Sequence, residues 1–390
     1  MSTSGGVAGA TLRVLLDATA VPADRGGVGR YVDGLAPALV AAGADLSVAC
    51  QPADADLFAA AGAEPIPVGR IGGRGPRLLW EQTGLAALAR SLRPDVLHSP
   101  HYTQPQAAGA VATAVTLHDA TFFTDPQVHG RAKGPFFRAA TRLALRRADA
   151  AIVPSQATAD ELIRVAGAAP GRLHVAHHGV DAAAFHPPTA EAVRAARAAL
   201  GLAGDRPYLA FLGTLEPRKN LAALVRGYVR ACAGRADPPV LVLAGGAGWD
   251  TELDAAIEAV PAPLSVLRPG YLPLADLAGY LGGAALVVYP SLGEGFGLPL
   301  LEAMACEAPV LTTRRLALPE VGGAAVAYCD VDDASIAAQL AALLDDPARR
   351  AELGAAAGQR AAGFTWAACA DAHLGAYESA IARFRARRLP

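Results

Sequence analysis

Cysteine is scarce in this chain: five among 390 residues (Cys50, Cys232, Cys306, Cys329 and Cys369), with no CxxC pair. An odd, scattered set makes no disulfide framework and fits reduced thiols in a cytosolic protein. Long apolar runs are missing too. None approaches the ~18 residues needed to span a bilayer, so any membrane contact is expected to be peripheral. The opening MSTSGGVAGA is a small-residue tail without the charged-then-apolar order of a secretion signal. Charge of either sign is not in excess: 34 Lys+Arg against 36 Asp+Glu leaves a formal −2, which gives no global reason to expect nucleic acid. Finally, no GxGxxG dinucleotide fingerprint is present, which disfavours a nicotinamide dehydrogenase.

What the chain has in plenty is length, alanine and glycine. Its 390 residues exceed one typical core and fit two α/β domains. Alanine and glycine are threaded through periodic segments, which reads as biased base usage and not as low complexity. Buried strands are expected at 11–20, 45–51, 95–101, 111–119 and 148–155, with helices between most of them. A second series follows at 208–214, 240–246, 264–270, 284–291 and 309–313, separated by helices such as 219–233 and 273–282. The alternation predicts two doubly wound parallel sheets, Rossmann-like, facing one another across a cleft. FHPP at 185–188 and GDRP at 204–207 mark the break, with a short helix between them.

Residues 290–310, PSLGEGFGLPLLEAMACEAPV, carry the most chemistry. An apolar β-rich run hands over to a helix through Gly295 and Gly297, and Pro299 has the fixed φ suited to a first helical turn. Unpaired N–H groups of Phe296, Gly297 and Leu298 at that helix N-terminus favour an anionic diphosphate. A carboxylate beside a phosphate site calls for a neutral donor such as a sugar hydroxyl pair, and Glu294 and Glu302 then imply two sugars.

EGFGLPLLE resembles the E-x7-E signature of retaining glycosyltransferases with the GT-B fold, specifically glycosyltransferase family four, and the resemblance spans nearly the whole chain. It implies that Glu302 holds the nucleotide ribose and that Glu294 sits near the donor sugar. Domain limits follow: 1–187 binds acceptor, 188–364 binds the nucleotide sugar, and 365–390 forms a helix crossing back to the first domain.

Further segments agree. FLGTLEPRKN places Arg218 and Lys219 past a strand's carboxyl edge, where two cations would neutralise a leaving nucleoside diphosphate. Many family members carry an arginine where this sequence has Thr214. RGGVGRY (25–31) is similar to the family's N-terminal glycine loop, with Gly27 close to ligand and Arg30 a contact to diphosphate or acceptor. His118 and Asp119 match a strand-terminal HD whose histidine lies against the donor sugar. Tyr271 and Leu272 occupy the place where backbone groups of related enzymes meet the nucleobase. His98 and His101 end the preceding strand, on the acceptor side. GGAG at 245–248 lacks a GK[ST] ending and reads as a tight turn near the ligand.

DAD (Asp54 to Asp56) and DVDD (330–333) mimic an acidic metal pair but follow no convincing strand, so no metal is expected. Between 131 and 147, Arg131, Lys133, Arg138, Arg142, Arg146 and Arg147 occur without an acid, beside Phe136 and Phe137. Arg138, Arg142 and Arg146 share one helix face, which suits an anionic membrane and equally a solvated surface. The whole reads as a metal-independent retaining hexosyltransferase, cytoplasmic or at the inner face of the membrane. GDP-mannose is the preferred donor, with UDP-glucose, UDP-N-acetylglucosamine and dTDP-rhamnose open. Its acceptor is a sugar, lipid-linked or small-molecule hydroxyl, met by loops within 51–80 that carry Arg70, Arg74 and Arg77. A nucleotide-sugar epimerase is the alternative enzyme class, and a two-domain sugar-binding module the non-enzymatic one.

Overall fold

The structure, a computed structural model, describes residues 11–21, 25–69, 73–109, 111–124, 126, 133–202 and 204–388. Arg70 and Arg131 lie outside the described residues, as does the whole N-terminal tail MSTSGGVAGA; Arg74 and Lys133 are described in backbone only.

Seven strands form the first sheet: β1 (Arg13–Asp17), β2 (Asp45–Cys50), β3 (Glu64–Pro67), β4 (Val96–Ser99), β5 (Ala112–Thr116), β6 (Ala150–Val153) and β7 (Leu173–Val175). Six form the second: β8 (Tyr208–Leu212), β9 (Val240–Ala244), β10 (Val266–Gly270), β11 (Leu286–Tyr289), β12 (Val310–Thr313) and β13 (Ala327–Cys329). Their orders are β3-β2-β1-β4-β5-β6-β7 and β10-β9-β8-β11-β12-β13, every pair parallel. The two sheets therefore repeat one winding, with the order of strand addition reversing between β1 and β4 and again between β8 and β11. Crevices open beyond the carboxyl ends of the strands at such reversals.

The central strands are apolar on both faces because helices cover both, and β4, β5, β6, β8, β9, β11 and β12 are buried throughout. The sequence reading missed β3, β7 and β13. All three are edge strands of three or four residues, partly exposed, and β3 carries two prolines, which an edge tolerates.

The terminal helix, Trp366–Ala386, leaves the second sheet and packs on the first helix (Gly27–Ala41) and on β4 to β7. Cys369, Ala370, Ala376, Tyr377 and Ala380 join the first sheet's core. The contact is tight: a side chain at Gly34 would put its Cβ 2.2 Å from the Trp366 indole. Polar bonds fix its register. Tyr31 OH lies 2.6 Å from His373 Nε2, and Tyr377 OH lies 2.8 Å from His98 Nδ1.

This network corrects the reading of His98. It is fully buried and bonded on its other nitrogen to Thr116 Oγ1 at 2.8 Å, so it anchors the crossing helix and faces no acceptor.

Candidate functional site

The reversals of the two sheets face each other, and the loops beyond them enclose a cleft of about 340 Å³. Gly27, Arg30 and His118 line it from the first half; Thr214, Arg218, Lys219, Tyr271, Leu272, Glu294, Gly295, Phe296, Gly297, Leu298 and Glu302 line it from the second. Parallel pairing of β8 with β11 brings the loops carrying Lys219 and Glu294 side by side.

Glu294 is the hub. Its Oε1 accepts from Lys219 Nζ at 2.7 Å, Ser291 Oγ at 2.6 Å and Tyr289 OH at 3.0 Å, and Arg218 Nη1 donates to Oε2 at 2.5 Å. Arg218 also donates to Gly293 O at 2.7 Å and, through Nη2, to Glu216 Oε1 at 2.7 Å. Burial pushes the Glu294 carboxyl up, and the two cations more than reverse this, to about 2. Lys219 is drawn below its ordinary value by burial and then by Arg218, with Glu294 opposing. The two expected cations are thus real but not free. Glu216 and Glu294 balance their charge and fix their positions, and two of the three Lys219 donors are already used, on Tyr289 and Glu294.

Beyond Glu294 the chain turns into the helix Leu298–Ala305 through Gly297, whose φ of +97° is a left-handed conformation that favours glycine. No protein acceptor among the described residues takes the N–H groups of Phe296, Gly297 and Leu298. Gly295 answers a different demand: a Cβ there would sit 1.7 Å from the His118 carbonyl oxygen. The two halves of the cleft therefore touch backbone to backbone at this point.

Glu302, one turn into the helix, is buried, and Arg30 of the first half donates to its Oε1 across the cleft. Burial raises its carboxyl, with Arg30 partly offsetting. The expected ribose ligand is thus already paired, and the expected diphosphate contact is its partner.

His118 donates from Nε2 to Pro100 O at 2.7 Å, an assignment that leaves Nδ1 as the acceptor, and burial lowers its pKa. Beside it stands His178, which the sequence reading missed. Its ring centroid lies 4.7 Å from Tyr31, 4.9 Å from Phe296 and 6.2 Å from His118. Burial pulls His178 well below its ordinary value too, so both rings are biased toward the neutral form. The signal for His178 was its place, in HHGVD just past β7 at a carboxyl edge. Tyr289 and Ser291 were legible in the same way, within VVYPS.

Comparison with known proteins agrees with this geometry. Residues 25–184 match the model of Glycosyltransferase Family 4, and residues 193–360 match that of Glycosyl transferases group 1. The chain is 32% identical over 334 residues to D-inositol 3-phosphate glycosyltransferase 1 of Catenulispora acidiphila, covering 80% of this chain and 78% of that one. It belongs to the GT-B glycosyltransferases of group 1, family four. It is also 29% identical over 306 residues to O-antigen chain mannosyltransferase B of Escherichia coli, covering 77% and 78%. In fold it resembles Anabaena HepE, solved in complex with UDP and glucose, with a TM-score of 0.75 at 19% identity over 94% of this chain and 100% of that one.

The glycosyltransferase departs from its sequence reading away from the cleft. Phe137 is buried, and Arg138 donates to Phe122 O at 2.9 Å while Arg142 lies 5.0 Å over the Phe123 ring, so the expected uniform basic stripe is broken. Arg142, Arg146 and Arg147 remain exposed. His101 is half-buried against Tyr102 and His118. Arg77 pairs with buried Glu81 at 3.2 Å, and Asp54 with Arg25 at 2.6 Å. Among the described residues no group of three His, Cys, Asp or Glu could hold a metal ion, and no helix is long and apolar enough to cross a membrane.

Proposed function

We propose that this glycosyltransferase moves a hexose, with retention of anomeric configuration and without a metal ion, from a nucleotide sugar to an acceptor hydroxyl in polysaccharide, glycolipid or natural-product glycoside assembly. GDP-mannose is the preferred donor, on the likeness to the mannosyltransferase. The observation that carries the reading is the cluster of Glu294, Arg218 and Lys219 beside the helix N-terminus, opposite His118. The cationic donors Arg218 and Lys219, held in place by their carboxylate partners, are matched to a diphosphate that gains charge as the C1–O bond breaks. The new C1–O bond forms on the same face, and the acceptor proton passes to the departing phosphate oxygen.

In this reading Lys219, Arg218, Thr214 and the N–H groups of the Gly295–Leu298 turn hold the diphosphate. Glu294 and His118 border the transferred sugar, Gly27 approaches with its backbone, Tyr271 and Leu272 meet the base, and Glu302 exchanges Arg30 for the ribose. HepE, which binds UDP, supports a UDP-sugar as the second donor reading.

A thermal-shift series over GDP, UDP, dTDP and ADP identifies the base, since a ligand of the folded state raises the melting temperature. Turnover of the matching sugar nucleotide is then compared with Glu294→Gln and Lys219→Ala; near-parental transfer by both sinks the proposal. An epimer formed without acceptor would mark isomerisation instead. We place the enzyme in the cytoplasm, with Phe136 and Leu143 exposed beside Arg142, Arg146 and Arg147 as its contact to an anionic inner membrane face. Co-sedimentation with anionic and neutral vesicles tests this, and equal recovery refutes it.

A further inference from the structure

A second set of contacts joins the two halves of the cleft, built from Ser155, Thr158, His177 and Glu320, which do not line it, and meeting its wall at Gly295. Ser155, fully buried, is the N-cap of the helix Gln156–Ala166. Its Oγ accepts the Thr158 N–H at 3.0 Å and donates its own proton to Gly295 O at 2.6 Å. Thr158 Oγ1 donates to the same carbonyl at 3.1 Å. Both lone pairs of the Gly295 carbonyl are thereby filled from the opposite half.

The same helix start makes a second clasp. Gln156 N–H and Ala157 N–H donate to Glu320 Oε1 at 2.8 Å and Oε2 at 3.0 Å, and His177 Nε2 lies 2.6 Å from Oε1. A carboxylate on free N–H groups at a positive helix end is a strong, directional contact. Burial pushes the Glu320 carboxyl up, and His177 with the two N–H groups more than reverses it.

Both anchors converge on one residue. Gly295 follows Glu294 in the chain, and Ala317, three residues before Glu320, donates its N–H to Glu294 O at 3.2 Å. From this geometry we infer that Ser155, Thr158 and Glu320 are positioning residues for glycosyl transfer, which close the Glu294 loop onto the His118 strand end and hold the two in register. The contacts bridge separate hydrophobic cores, so their loss releases a hinge and leaves each core intact. The kinetic consequence rests on the transfer reading above, whereas closure itself is measured independently of it.

The test uses the full chain with Ser155→Ala/Thr158→Val and, separately, Glu320→Ala. Small-angle scattering with GDP and with UDP reads closure, and initial rates with whichever of GDP-mannose or UDP-glucose the parent uses read transfer. Both variants are expected to show a larger radius of gyration and a kcat about 10- to 100-fold lower, since a misplaced reacting group costs that order. The donor KM should stay within about threefold, hydrolysis should rise relative to transfer as water enters, and Ser155→Thr should restore kcat. An unchanged radius, or a lower melting temperature with parental kcat, overturns the inference. If the parent turns over neither donor, those two donor readings fail, and the radius alone still decides whether these residues close the cleft.

Discussion

Replacing Glu294 by glutamine keeps the side chain's size and removes its charge from the most tightly held group of the cleft. Burial raises this carboxyl, yet Arg218 and Lys219 bring it from its ordinary 4.5 to about 2. A displacement of that size corresponds to on the order of 3 kcal/mol at neutral pH. Viewed from the cations, taking one partner from a buried pair costs about 3 to 5 kcal/mol, because Lys219 and Arg218 would keep only Glu216 as counter-charge. The two routes agree. For a domain of about 150–250 residues, where 1 kcal/mol moves the melting temperature by ~2–4 °C, the unfolding of the second half should fall by roughly 6 to 20 °C.

The pH dependence has a definite sign. A carboxyl depressed in the folded state contributes fully above its ordinary pKa and loses that contribution as pH falls through 4.5 toward about 2. The gap between Glu294→Gln and parent should therefore be full at pH 7 and narrow below pH 4.5, while transfer at pH 7 drops at least about 100-fold. Thermal unfolding of both proteins across this range, with initial rates at pH 7, makes the comparison. A melting temperature within about 2 °C of the parent at pH 7 would refute the electrostatic reasoning.

Three further outcomes are expected. Gly295→Ala places a methyl 1.7 Å from the His118 carbonyl, so it should prop the cleft open and cut transfer about 100-fold at nearly unchanged melting temperature; parental rates would show that the backbones need not touch. Arg30→Ala leaves buried Glu302 without the cation that offsets its raised pKa, so nucleotide affinity measured by calorimetry should begin to weaken at a higher pH than in the parent as pH falls, and coincident pH profiles would refute the pairing. Tyr377→Phe removes the hydroxyl at His98 Nδ1 and should lower stability by about 1 kcal/mol with kcat unchanged, as a helix anchor would; a kcat loss would return His98 to the acceptor side.

Glu294, Glu302, Arg218, Lys219 and His118 were legible because each lies in the stretch that follows a strand's carboxyl end, a segment whose glycine, proline and charge pattern states its backbone geometry. Their partners were not. Arg30 meets Glu302, and Ser155 meets Gly295, across 272 and 140 residues of chain. Nothing local to either partner encodes such a pairing. His98 shows the opposite hazard: at a strand end it had the address of a cleft residue, but the returning helix covered it.

By itself the sequence determined two wound sheets, the carboxyl edges where ligands go, and the chemical types gathered there, since period, turn residues and helix starts are properties of short segments. Only the tertiary structure decided which charges are free. It balanced Arg218 and Lys219 against Glu216 and Glu294, closed Arg30 onto Glu302, and seated Gly295 under Ser155 and Thr158. The physical reason is that burial and pairing depend on what the opposite half of the cleft brings within about 3 Å, a distance no spacing along the chain specifies.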